Sequence, residues 1–84
     1  MNYQVFLHPA ALKQLSKLPP EIYERLRRKV FALADNPRPA NARKLVGSQE
    51  WRIRVGQWRV IYLIDDPEHE VYVTVIAHRR EVYR

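Results

Sequence analysis

The sequence predicts a small single α+β domain over residues 1–84, with an N-terminal strand and two helices packed on one face of an antiparallel sheet. Two features predict it. Apolar residues recur at helical spacing between residues 9 and 34, then at strand spacing, or almost without interruption, between residues 51 and 77. Turn residues punctuate the second half at Gly56-Gln57 and at Asp65-Asp66-Pro67-Glu68, which joins the flanking runs as an antiparallel meander. Helical patterns followed by a run of strands place helices on one side of a sheet.

Tyr3 to Leu7 is rich in β-formers and reads as a first strand. His8-Pro9 opens a helix, because a proline at the first helical position lacks only an N–H that would be unpaired anyway. Ala11, Leu12, Leu15 and Leu18 supply its apolar stripe, and Pro19-Pro20 ends it and starts another. The second helix is expected from Pro20 to Ala34, with Ile22, Leu26, Val30 and Leu33 on the buried face. Glu21 with Arg25, and Glu24 with Arg28, are i,i+4 pairs, so the basic run Arg25, Arg27, Arg28, Lys29 reads as a solvated helix surface. Asp35-Asn36-Pro37-Arg38-Pro39 forms a stiff loop. Trp51-Arg52-Ile53-Arg54-Val55 alternates strictly, Trp58 to Ile64 is nearly all apolar, and Val71 to Ala77 is a third long strand.

A chain of 84 residues is near the lower end of what one core stabilises, and with no cysteine it has neither disulfides nor a thiolate metal site to help. No apolar run approaches the ~20 residues that cross a bilayer. Met1-Asn2-Tyr3-Gln4 does not read as a secretion signal, so a cytoplasmic protein without a membrane partner is expected. Fifteen Lys and Arg against nine Asp and Glu leave a formal charge of +6, which points to an acidic partner.

The distribution of that charge narrows the choice. A tight Gly56-Gln57 turn of the II′ kind sets Val55 opposite Trp58, Arg54 opposite Arg59 and Arg52 opposite Ile61. Residues opposite one another share a face, as do residues two apart, so Arg52, Arg54 and Arg59 project together. Trp51, Ile53, Val55, Trp58, Val60 and Tyr62 form the side that meets the helices. Like charges opposite one another in a sheet are destabilising, and Glu50 is the single acid between Leu45 and Ile64. A Lys/Arg edge that discourages sheet-to-sheet pairing explains one such strand but not charges facing each other on two. Arginine forks match phosphate oxygens, so the trio reads as a phosphate clamp, most naturally for RNA.

The segment from His78 to Arg84 adds an imidazole, a phenol and more positive charge. RNA is cut without a metal when its own 2′-OH attacks the adjacent phosphate; the reaction needs a base, an acid and cations for the phosphorane. Arginine supplies the last of these. His78 is the base by residue type, and Tyr83 can move a proton or stack on a base. No metal or cofactor is expected: His8, His69 and His78 lack ligand spacing, two glycines make no phosphate loop, and Ser48 has no triad.

Asn36-Pro37-Arg38-Pro39, Lys44-Leu45, the block Trp51 to Gly56, Trp58 to Tyr62, and His78-Arg79-Arg80-Glu81-Val82-Tyr83 together resemble the RelE/ParE toxin superfamily over nearly the whole chain, and most closely its RelE branch. The resemblance implies the RelE-like microbial RNase fold and a toxin of a type II toxin–antitoxin pair that cuts mRNA in the ribosomal A site and so inhibits translation. It implies phosphate binding and transition-state stabilisation at Arg52, Arg54, Arg59 and Arg79, base stacking or proton transfer at Tyr83, and RNA contacts at Lys44 and Arg80. His78 stands where several relatives carry a histidine. Arg52 and Arg54 stand where the best-known RelE has lysines, which argues here against lysine-based proton transfer. The resemblance also implies an acidic antitoxin, and operator DNA bound only through the toxin–antitoxin complex. The alternative within the superfamily is the ParE branch, which poisons DNA gyrase by protein contact without nuclease activity.

Overall fold

Two prolines start the two helices of the computed structural model, which describes residues 2–79. Strand β1 (Gln4–Leu7) leads into α1 (Pro9–Ser16), where His8 caps the helix by accepting the Ala10 N–H on Nδ1 at 3.1 Å. Ala11 and Leu15 are buried and Leu18 is half-buried, but Leu12 is exposed, so the stripe is narrower than its spacing suggested. Helix α2 (Pro20–Ala32) buries Leu26 and Val30, and Leu33 just beyond it is buried too. The helix stops short of Ala34 because Leu33, Ala34 and Asp35 donate to carbonyls three residues back, tightening the last turn. On its outer face Glu24 pairs with Arg27 at 3.7 Å, at i,i+3 rather than with Arg28 at i,i+4.

The strands that follow are β2 (Arg43–Lys44), β3 (Trp51–Val55), β4 (Trp58–Asp65) and β5 (Glu70–His78). They form a five-stranded sheet in the order β1-β5-β4-β3-β2. The meander of β3, β4 and β5 is antiparallel as expected. Strand β1 joins the far side of β5 in parallel, and β2 extends the other edge, so the sheet is mixed.

Both helices cover the same face. Ala11, Leu15, Leu26, Val30 and Leu33 pack with Ile53, Val55, Val60, Tyr62, Val71, Val73 and Ile76 in one core. Between β4 and β5 the register shifts: Ile61 pairs with Val75 but Tyr62 pairs with Val73. Thr74 is the extra residue of this bulge, and its hydroxyl donates to the Ile61 carbonyl at 3.2 Å. At the Asp65 end of the sheet, the hydroxyl of fully buried Tyr62 donates to the Pro37 carbonyl at 2.7 Å. Burial pushes the Tyr62 phenol up to about 12. This bond ties the proline-rich loop to the central strand.

Candidate functional site

The turn between β3 and β4 sets the geometry. Gly56 has φ 62° while Gln57 is not in the left-handed region, which fits the II′ turn. The left-handed backbone favours glycine there; a Cβ at Gly56 would lie 3.2 Å from a guanidinium nitrogen of Arg25, the end of a flexible side chain. The turn fixes the pairing of Val55 with Trp58, Arg54 with Arg59, and Arg52 with Ile61. Arg43 on β2 stands opposite Arg52. Because Ile53, Val55 and Val60 are buried toward the helices, Arg43, Arg52, Arg54 and Arg59 all lie on the opposite face.

These arginines are not equally open. Arg54 is exposed and Arg52 half-buried, whereas Arg59 retains 3% exposure. Arg79 follows β5, and its backbone N–H donates to the Gln57 carbonyl at 2.7 Å, which holds it against the turn. Arg54, Arg59 and Arg79 thereby line a notch of about 110 Å³ with Gly56, Gln57 and Trp58. Three cations around so small a space suit an anion with several acceptor oxygens. Among the described residues no group of three or more His, Cys, Asp or Glu could hold a metal ion.

A family model described as the ParE toxin of the type II toxin–antitoxin system parDE matches residues 5–83. The chain belongs to the RelE/ParE superfamily of type II toxins. A toxin named RelE1 from Methanocaldococcus jannaschii is 30% identical to it, over 100% of this chain and 98% of that protein. The RelE–RelB complex of Pyrococcus horikoshii OT3 superposes with a TM-score of 0.84 at 28% identity, covering 94% of this chain and 97% of that one. The isolated E. coli RelE toxin gives a TM-score of 0.78 at 30% identity, covering 96% of this chain and 90% of that one.

In this RelE/ParE-family toxin the sheet brings Arg52, Arg54 and Arg59 to one face, with Arg79 beside them. Two expected members do not join them. His78 pairs with Trp58, so it lies on the helix side of the sheet, where its ring meets the Trp58 ring edge-on at 5.3 Å and 89°. Lys44, expected to contact RNA, pairs with Trp51 and shares the helix-side face at the sheet edge, whereas its neighbour Arg43 lies on the arginine face. Arg80 and Tyr83 lie outside the described residues. No sequence signal marks Arg43, because a two-residue strand carries no periodicity; its guanidinium donates to the Ala40 and Ala42 carbonyls at 3.0 and 2.8 Å. Arg25 reads in sequence as one more solvated helix cation, yet it lies against Gly56; nothing in its local spacing signals that.

The toxin's remaining charge cluster is structural. Asp66 accepts two bonds from Arg38, at 2.7 and 3.3 Å, and one from the Tyr3 hydroxyl at 2.6 Å. Arg38 in turn lies over the Trp51 ring at 5.3 Å. The Arg38 bonds, then the Tyr3 bond, hold the Asp66 carboxyl down at about 2, and the Asp66 carboxylate raises the Tyr3 phenol. This clasp sits at the Asp65 end of β4, the opposite end from the notch at Trp58.

Proposed function

We propose that this toxin cuts mRNA in the ribosomal A site without a metal and so halts translation. The observation that carries the reading is the stacking of two like-charged cross-strand pairs, Arg43–Arg52 and Arg54–Arg59, on the face away from the helices, with Arg79 closing the notch. Such pairing is unfavourable in a free sheet and becomes favourable on a polyanion. In the proposed reaction the 2′-OH upstream of the scissile phosphate attacks phosphorus. The P–O5′ bond breaks, leaving a 2′,3′-cyclic phosphate on one fragment and a 5′-hydroxyl on the other. Arg52, Arg54, Arg59 and Arg79 hold the phosphate and stabilise the phosphorane charge. The 2′-OH loses a proton and the leaving O5′ gains one; Tyr83 is assigned one of these transfers, as the family resemblance suggests, with solvent completing the exchange and His78 across the sheet taking no part. The RelE–RelB complexes among the relatives support a cognate antitoxin for this toxin. Its acidity is inferred from the toxin's +6 charge, and operator DNA bound only by the pair is what the family resemblance suggests.

The test is cleavage on programmed ribosomes, with RNA 5′ ends mapped. Cutting should leave a cyclic phosphate and stop when the nucleotide before the scissile phosphate is 2′-deoxy, while binding persists. Normal cutting of the deoxy substrate, or a divalent-ion requirement beyond that of the ribosome, refutes the mechanism. The match to the ParE family model favours a second reading, a non-enzymatic toxin acting on DNA gyrase. On induction that reading predicts altered DNA supercoiling before any fall in protein synthesis; the RNase reading predicts the reverse order.

A further inference from the structure

A second and larger cavity, about 280 Å³, adjoins the same turn on the helix side of the sheet. Gln57 and Trp58 line both this cavity and the arginine notch, so the two are separated by little more than the Gly56-Gln57 turn. Their chemistry differs. The notch offers cations, whereas the larger cavity has apolar walls from Ile22 and Val55, the Trp58 and His78 rings, and a single guanidinium, that of Arg25. The two rings stand perpendicular, so a flat heteroaromatic ring entering the cavity can stack on one and meet the other edge-on, arrangements aromatic rings prefer. The Gln57 amide offers a donor and an acceptor at the rim.

The ridge between the cavities is bare where Gly56 lacks a side chain, and the Arg25 guanidinium lies beside it. A flexible polymer crossing the ridge there meets cations on both sides and planar rings on one. Two phosphate sites flanking a base site match single-stranded RNA, whose sugar–phosphate backbone carries one base on the sugar between successive phosphates.

We propose that the larger cavity is a base-binding subsite. RNA whose phosphate occupies the arginine notch crosses Gly56 and sets the base of the adjoining nucleotide against Trp58 and His78, and Arg25 takes the next phosphate. The proposal rests on the RNA reading above. It gives His78 a part in holding the substrate's base rather than in moving its proton.

The experiment is equilibrium binding of the intact toxin to a 2′-O-methyl RNA tetramer, which cannot be cut, and to the same backbone with every base removed. Loss of the bases should weaken binding about 5- to 150-fold, the range for stacking of a base on an aromatic side chain. Trp58→Leu and His78→Ala should each erase most of that difference, and Arg54→Gln should weaken both ligands alike. The comparison on unaltered toxin holds even where Trp58→Leu perturbs folding. Equal affinities for the two ligands, both still lowered by Arg54→Gln, would overturn the subsite and leave the RNA reading standing. A base preference that survives Trp58→Leu and His78→Ala would also overturn it; if Trp58→Leu then weakens antitoxin binding, the cavity is a protein-docking groove. RNA affinity indifferent to Arg54→Gln would bring down the RNA reading and the subsite together.

Discussion

Replacing Arg54 by glutamine should make the free toxin more stable and far less active. Arg54 is exposed and stands directly opposite Arg59 on the neighbouring strand. Like-charged cross-strand pairs destabilise a sheet by a few tenths to about 1 kcal/mol. For a domain of this size about 1 kcal/mol moves the melting temperature by roughly 4–8 °C, so a rise of about 2–6 °C is expected at low ionic strength. The assay is thermal unfolding of toxin and variant at ~0.01 M and ~1 M salt, where the screening length falls from about 30 to about 3 Å. The difference should shrink at high salt, because it is electrostatic. Removing one oriented cation from the notch should lower cleavage about 10²–10³-fold. An Arg54→Gln protein that melts lower than the parent at low salt, or whose gain ignores salt, would refute the argument that this face is strained for its ligand.

Other outcomes follow from the same structure. Arg28→Gln removes one charge from an exposed helix position and should leave cleavage within a few-fold of the parent, measured beside Arg54→Gln. Tyr62→Phe orphans the Pro37 carbonyl at a fully buried position and should lose about 1–3 kcal/mol in urea denaturation. Because folding raises the Tyr62 pKa from 10.0 to about 12, its contribution is complete below pH 10 and lost as pH rises through about 12. Alkaline titration of stability should therefore be shallower in Tyr62→Phe. Asp66 shifts the other way, from 3.8 to about 2, so its stabilising effect is present above pH 3.8 and lost as pH falls through about 2. Arg38→Ala should flatten that acid limb, monitored by far-ultraviolet circular dichroism.

The hairpin that makes the notch was legible because two local signals agree there. Strict alternation from Trp51 to Val55 assigns the faces, and Gly56 fixes the register to within a residue. The parallel pairing of β1 with β5 joins residues 66 positions apart, such as Gln4 and Glu70, and no local pattern reports it. His78 shows why the rest of the site was harder to read. Unbroken alternation from Val71, which is buried, would put position 78 on the arginine face. The bulge at Thr74 adds one residue, and the faces exchange beyond it: Ile76 is buried with Val60, Ala77 stands beside Arg59, and His78 faces the helices. A run reading Val71-Tyr72-Val73-Thr74-Val75 gives no sign of where such a residue is inserted.

The clasp and the notch occupy opposite ends of β4, and this gives the toxin a direction that matters for anyone labelling it. The chain enters the fold at the clasp, where Tyr3 is bonded to Asp66 and its N–H to the Ala34 carbonyl. It leaves β5 at Arg79, pinned to the Gln57 carbonyl at the rim of the notch. A fluorophore or affinity tag joined ahead of Tyr3 therefore emerges a full strand length from the arginines, whereas a label carried on the Arg79 side chain itself would sit at the rim of the notch.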